Sequence, residues 1–293
     1  ALDVGSLHIG EASAYAGTVN QTGGTTTIIN QLRVGHYGSE TSTYNLSGGS
    51  ISVTSANGAT NPFTSGASEQ NGGIYVGVDG TGIINQSGGT VTTNWVVLDN
   101  RGDTAGTDQY NLTGGTLKIN NTWGISGNAS SLFTFGGGTL QVNNAGPINM
   151  PVSVATAVSG TGSILDTNAA GNTVTFSKDM TGTGTLTTQG GGTVAFTTTG
   201  TQTVSAVLAG TSPVTKLGTG TTTMSGLNTY SGTTTVSAGR LNITGGIANS
   251  ALTMADGTAL SGEGTASSIT LGSAGTDAIS LFIDGSTAGA LTS

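Results

Sequence analysis

"YNLSGGSISV" at residues 44–53 returns as "YNLTGGTLKI" at 110–119, and fainter copies stand at 19–28 ("VNQTGGTTTI") and 84–93 ("INQSGGTVTT"). Each copy is a short alternating run, a Ser/Thr-Gly-Gly bend, and a second alternating run. A period of two is the pattern of a β-strand with one face buried, and paired glycines between two such runs turn the chain. Catalytic chemistry is needed once, so a phrase that keeps returning describes architecture.

Aligned on the bend, the pairs are Gly23-Gly24, Gly48-Gly49, Gly88-Gly89, Gly114-Gly115 and Gly137-Gly138. They follow one another at a period of about 25 residues, with one longer interval between Gly49 and Gly88. The polar stretch 55–73 fills that interval as a loop projecting from one rung. A second anchor precedes each pair: "LHIG" (7–10), "LRVG" (32–35), "IYVG" (74–77), "VVLD" (96–99) and, less clearly, "WGIS" (123–126). A third strand follows it, as in "SISV" (50–53) and "TLKI" (116–119). Three short strands per unit match one coil of a β-solenoid.

The alternation also assigns faces. Val19, Tyr44, Ile84, Tyr110 and Phe133 share one register, and Gln21, Leu46, Gln86, Leu112 and Phe135 lie two residues on; both sets point inward. Asn20, Asn45, Asn85 and Asn111 fall between them and face outward, where parallel stacking makes a ladder of amides. Gly24, Gly49, Gly89, Gly115 and Gly138 complete the bends. One coil buries only a handful of apolar side chains, each worth on the order of 1.5–3 kcal/mol, against about 1–2 kcal/mol of backbone ordering per residue. Coils of this kind are therefore stable only when stacked.

Composition agrees. The chain has 293 residues, 52 glycines, 34% hydrophobic residues and 7% charged ones. Glycine is costly inside helices, and short alternating apolar runs argue against disorder. With no cysteine, disulfides and thiolate metal sites are excluded. The net charge of −8, from 14 acids and six bases, leaves no basic cluster for a nucleic-acid backbone or an anionic membrane. No apolar run reaches the roughly 18–20 residues of a transmembrane helix.

After about residue 145 the Gly-Gly phrase fades while short strands continue, so 145–293 is expected to prolong the solenoid of 1–144 with a different repeat. At "KLGTGTTTMSGLNTYSGTTTVSAGRLNITGG" (216–246) the chain resembles the autotransporter-associated β-strand repeat of bacterial secreted passenger domains. The resemblance rests on Leu217-Gly218-x-Gly220, on Leu227-Asn228-x-Tyr230-x-Gly232-x-Thr234, and on Val236-Ser237-Ala238-Gly239-x-Leu241. Residues 251–275 extend it in the same style. It implies a right-handed β-helix exported from bacteria and names no activity. Complete autotransporters also carry a translocator barrel, which the sequence ending "FIDGSTAGALTS" lacks.

Chemistry-bearing residues are few. Most acids of the first 130 residues fall between the second anchor and the next Gly-Gly pair. In "DNRGDTAGTD" (99–108), Asp99, Asn100, Asp103 and Asp108 offer oxygen ligands for Ca²⁺, although the spacing is not that of an EF-hand and solvated turns are the simpler reading. "RGD" at 101–103 is three letters that chance supplies easily. A polysaccharide lyase or hydrolase would need paired carboxylates, or a base with Ca²⁺ or Arg. Arg33, Arg101, His8 and His36 provide only a little material, with His8 and Arg33 at one outward strand position. Asn-x-Ser/Thr sites at Asn20, Asn45, Asn85, Asn111, Asn120, Asn128 and Asn242 belong largely to the repeat. Trp95 and Trp123 read as a stacked core pair.

The sequence thus predicts an all-β, right-handed parallel β-helix of about a dozen rungs, about 60 Å long at the strand spacing of stacked sheets. The expected role is that of an extracellular scaffold or fibre subunit at the bacterial surface, not an enzyme, with no obligatory cofactor and with copies stacking end to end. The alternative is an adhesin-like module using 55–73 and the acidic edge to bind glycan or a cell-surface protein.

Overall fold

The computed structural model describes residues 1–11, 15–37, 40–55, 71–100, 106–128, 130–144, 147–151, 153–156, 162–272 and 280–282. Among these no helix forms, and so none is long and apolar enough to cross a membrane. The strands stack in parallel into a β-solenoid of about ten turns. They join as one 22-stranded ladder and a second of seven strands beginning at Pro147–Met150.

One early turn shows the plan. Thr18–Gln21 lies on a first face, Thr25–Ile28 on a second and Gln31–Val34 on a third. Each pairs in register with its counterpart in the next turn: Val19 with Tyr44, Thr26 with Ile51, Leu32 with Ile74. Gly82–Leu98 and Gln109–Gly127 run through all three faces without a break, which welds the early ladders into one.

The second glycine of the repeated bend has a steric reason. Gly49, Gly89 and Gly115 have φ of 84°, 67° and 70°, a left-handed conformation that costs an L-residue roughly 1–2 kcal/mol. In addition, a Cβ at Gly49 or Gly115 would strike the carbonyl of Gly24 or Gly89 in the turn before. At the fifth bend the sequence alignment needs a correction. Positive φ moves to Gly137, and Gly138 instead makes room for the Leu112 side chain.

The inward positions close into one apolar core, with Tyr44, Ile84, Tyr110 and Phe133 stacked on the first face and Leu46, Leu112 and Phe135 beside them. The outward asparagines form the expected ladder. The amide of Asn45 donates to Asn20 Oδ1 at 2.8 Å, Asn85 to Asn45 at 2.9 Å, and Asn111 to Asn85 at 2.9 Å. A second ladder, from Asn168 to Asn143 to Asn120, lies on the following corner and was not foreseen.

Ladder pairing also measures the turn length. One turn spans 25 residues from Asn20 to Asn45, 40 from Asn45 to Asn85, and 19 from Thr223 to Asn242. Within the step of 40, Val53 closes a strand of the second face and Gly73 opens one of the third, and the insertion expected at 55–73 falls between them. Residues 56–70 lie outside the described part of the chain. Parallel pairing continues past residue 144, with Leu132–Phe135 on Ser153–Thr156 and Thr139–Val142 on Ser163–Asp166.

Two expectations from the anchors are corrected. "WGIS" is out of step by two residues: Ile125 pairs with Val96 and Gly127 with Leu98, so Asn128 follows Leu98's partner as Asp99 follows Leu98. The extra residues are absorbed by a register irregularity between Ile119 and Gly124. Trp95 and Trp123 do meet edge to face, with centroids 5.2 Å apart, but outside the central core. With Tyr75, Val78 and Val97 they form a separate apolar cluster on the outward side of the third face. Gly73 leaves the space that the Trp95 indole fills.

Candidate functional site

Two kinds of polar assembly stand out, one inside the solenoid and one on an outer corner. The inner kind explains why glutamine is tolerated at a core position. Gln86 is fully buried, accepts the hydroxyl of Tyr110 from the next turn at 2.6 Å, and donates to Thr116 O at 3.0 Å. Gln21 repeats the arrangement, accepting from Tyr44 at 2.6 Å and donating to Ser50 O at 3.1 Å. A third case is Gln202, which accepts from the Thr222 hydroxyl at 3.2 Å and donates to two main-chain carbonyls. In each, the hydroxyl comes from the turn after the glutamine. The early rungs therefore alternate a Gln turn with a Tyr turn, and the motif unit is two turns long.

The outer assembly lies where the third face ends, at the corner marked by Gly10 and Gly35. His8 and Arg33 occupy the same outward column, as the alternation required. Beyond that, the tight corners bring Glu11 and His36 to them. His8 Nδ1 and His36 Nδ1 both donate to Glu11 Oε2, at 2.7 and 2.6 Å, and Arg33 Nη1 donates to His36 Nε2 at 2.8 Å. The imidazoles stand edge to face 5.1 Å apart, and Tyr37 packs on His36 at 4.0 Å. His36 is 3% exposed, while the Glu11 side chain is 54% exposed. Burial and the Arg33 charge hold His8 below the ordinary imidazole value, outweighing the carboxylate beside it. At Glu11 burial pushes upward, but the hydrogen bonds and charges of the two histidines hold it below the usual carboxylate range.

Among the described residues, His8, Glu11 and His36 are the one group of three His, Cys, Asp or Glu side chains whose ligand atoms converge, within 4.8 Å of one another. Two imidazole nitrogens and a carboxylate oxygen are a transition-metal donor set. Arg33 argues against that use. Its N–H occupies Nε2 of His36, so the ring's own hydrogen stands on Nδ1 and that nitrogen has no lone pair for an ion. An ion would also place a second cationic centre beside the guanidinium. The four side chains form a hydrogen-bonded cluster joining two turns, with His8 Nε2 buried and making no hydrogen bond.

Of the residues considered for calcium, Asp99 and Asp108 are nearly buried and engage protein groups. Asp99 Oδ2 accepts from the Asn128 amide, and Asp108 Oδ1 accepts from the Gly82 main-chain N–H at 2.7 Å. Asp99 also stands at the anchor corner with φ of 59°, where other turns have glycine. Asn100 donates its main-chain N–H to Gly77 O at 2.9 Å. Asp103, Arg101 and the RGD triplet lie outside the described residues.

In the second half, the residues that carried the family resemblance have structural work. Asn228 is buried: its Oδ1 accepts from Leu208 N at 2.9 Å, and its amide donates to Gly226 O at 2.8 Å and Gly246 O at 3.1 Å. Tyr230 and Thr234 share a 2.6 Å hydrogen bond, Thr234 and Ser250 one of 2.8 Å, and Ser250 donates to Gly232 O at 2.6 Å. Lys216 stands in register between Phe196 and Val236, in a column of core side chains. It bends its ammonium to the carbonyls of Gly218 and Ala238, and burial lowers its pKa from the ordinary lysine value.

Comparison with known proteins agrees with this region. Residues 214–243 match the family model of the passenger-associated-transport-repeat. No curated protein and no solved structure matches the chain. A passenger-associated-transport-repeat set in a stack of parallel turns fits an autotransporter-passenger-like β-helix.

Proposed function

We propose that this chain is an extracellular scaffold: a rigid β-solenoid rod at the bacterial surface that acts as a stalk or fibre subunit and catalyses no reaction. The supporting observation is the match at 214–243 within a parallel stack of about ten turns. The outward ladders of Asn20, Asn45, Asn85 and Asn111 are engaged with one another, which suits a wall. His8, Glu11, Arg33 and His36 are likewise joined in one cluster.

End-to-end stacking of copies belongs to this reading. Thr18–Gln21 pairs with another strand on one edge, and beside it lies a recess of about 450 Å³ lined by Leu2, Leu7, Val19, Gln21 and Tyr44. A strand edge above an open core is a template for another chain. Sedimentation velocity over a wide concentration range, with electron microscopy, tests the proposal. Rods that lengthen with concentration are expected; a strictly monomeric particle without fibres would sink the assembly claim, and a compact particle the scaffold itself. Depolymerisation of a polysaccharide panel by the purified chain would overturn the non-enzymatic part.

A further inference from the structure

We propose that Glu11, His8, His36 and Arg33 form an acid-released clamp holding the corner at Gly10 to the corner at Gly35 in the next turn. The argument begins with a count of hydrogens. Arg33 always carries its charge and can only donate, so His36 Nε2, 2.8 Å from Arg33 Nη1, must accept. His36 therefore carries its hydrogen on Nδ1, which donates to Glu11 Oε2 at 2.6 Å. His8 Nδ1 donates to the same oxygen at 2.7 Å. With both imidazoles neutral, these four side chains hold one positive and one negative charge, and each of the three hydrogen bonds has one donor and one acceptor.

A proton added to His36 has one nitrogen to go to, Nε2, and there it meets the Arg33 donor. The hydrogen bond becomes a contact between two donors and two positive charges. The new charge on His36 is attracted by Glu11, but Nδ1 already donates to that carboxylate, so no bond is gained. Glu11 is also more than half exposed and therefore screened, whereas His36 is buried. A proton on His8 adds a further positive charge 5.1 Å from the His36 ring, with one carboxylate serving both. The depressed pKa of His8 points the same way.

Three other ionisable residues lie close by. Tyr37 packs on His36 and is uncharged in acid. Tyr75 follows Arg33 in the outward column. Asp79 belongs to the equivalent corner of the next turn, where its main-chain N–H donates to His36 O at 3.1 Å. The clamp supports main-chain bonds between the corners, from Gly35 N to Ile9 O at 2.9 Å and from Tyr37 N to Gly10 O at 2.8 Å. Acid should weaken these first.

Hydrogen exchange of the whole chain between pH 7 and pH 5, expressed as protection relative to the intrinsic rate, tests the clamp. The Tyr37 amide is compared with the Asn100 amide, which makes the same corner bond to Gly77 O but has no histidine beside it. Protection of Tyr37 should fall at least tenfold more than that of Asn100. The two charges give opposite predictions. Glu11→Gln should move the midpoint down, and Arg33→Gln should move it up, each by roughly one pH unit, the scale of a neighbouring charge. Equal loss at Tyr37 and Asn100, or shifts of both variants in one direction, would overturn the proposal. A ring-proton titration of the wild-type histidines stands independently of the variants: two rings titrating independently at the ordinary value would also overturn it.

Discussion

Tyr110 reaches down from its turn to place its hydroxyl 2.6 Å from Oε1 of Gln86, and the pair is sealed inside the core with no exposed surface. Neither residue could be there alone. The ring fills the first-face column between Ile84 and Phe133, and the amide absorbs the hydroxyl that the ring brings. Removing the hydroxyl while keeping the ring isolates the polar term. Tyr110→Phe should leave Gln86 Oε1 unpaired and cost about 1–3 kcal/mol, read as faster exchange of the amides in the flanking turns. The same change at Tyr44, whose partner Gln21 borders the open recess, should cost less because water can replace the bond. Equal costs at the two sites would show that burial does not set the price.

The repeated bends offer a comparison between nearly identical glycines. Gly24 and Gly115 share φ of 70°, but a Cβ on Gly24 meets open space, whereas one on Gly115 strikes the Gly89 carbonyl. Gly24→Ala should cost only the left-handed conformation, about 1–2 kcal/mol. Gly115→Ala should cost distinctly more, measured as the difference in denaturation midpoint at unchanged slope.

Asn228 ties three main-chain groups within the matched repeat. Asn228→Ala leaves Leu208 N and the carbonyls of Gly226 and Gly246 without that partner. Buried unpaired groups cost about 1–3 kcal/mol each. The variant should lose at least about 2 kcal/mol, and exchange should rise locally at Leu208. Wild-type stability would refute this role.

Alkaline pH should destabilise the fold through its buried tyrosines. Burial raises the pKa of Tyr230 to about 12, partly opposed by the hydroxyls of Thr234 and Ser250, and also raises those of Tyr44 and Tyr110. The unfolded chain releases these protons near pH 10, before the folded chain does, so stability present below pH 10 is lost as pH rises above it. For Tyr230 the window runs from about 10 to about 12. Urea denaturation across this range should show a shallower decline for Tyr230→Phe than for the wild type; parallel curves would reject the assignment.

Much of this architecture was legible because its causes are local. Period-two alternation marked Tyr44 and Leu46 as inward and Asn45 as outward, and paired glycines marked the corners. Repetition then multiplied a weak local signal. The Leu227-Asn228-x-Tyr230 phrase was legible as a family motif, although its hydrogen bonds were not. What escaped was contact between turns. Gln21, Gln86 and Gln202 were separated from their hydroxyl partners by 23, 24 and 20 residues, an offset that follows the local turn length.

By itself the sequence determined that the chain is a stack of short parallel strands with asparagines outside and glycines at the bends, because strand pleat and glycine sterics act within a few residues. The tertiary structure decided which side chains meet. A turn of 17 to 42 residues advances the stack by about 4.8 Å, so one residue of difference in a corner changes a neighbour. That is why "WGIS" slipped by two, why Trp95 and Trp123 joined Tyr75 outside the core, and why Lys216 entered a core column. It is also why His8 and Arg33, which the sequence placed side by side on one column, became a cluster only when two corners delivered Glu11 and His36.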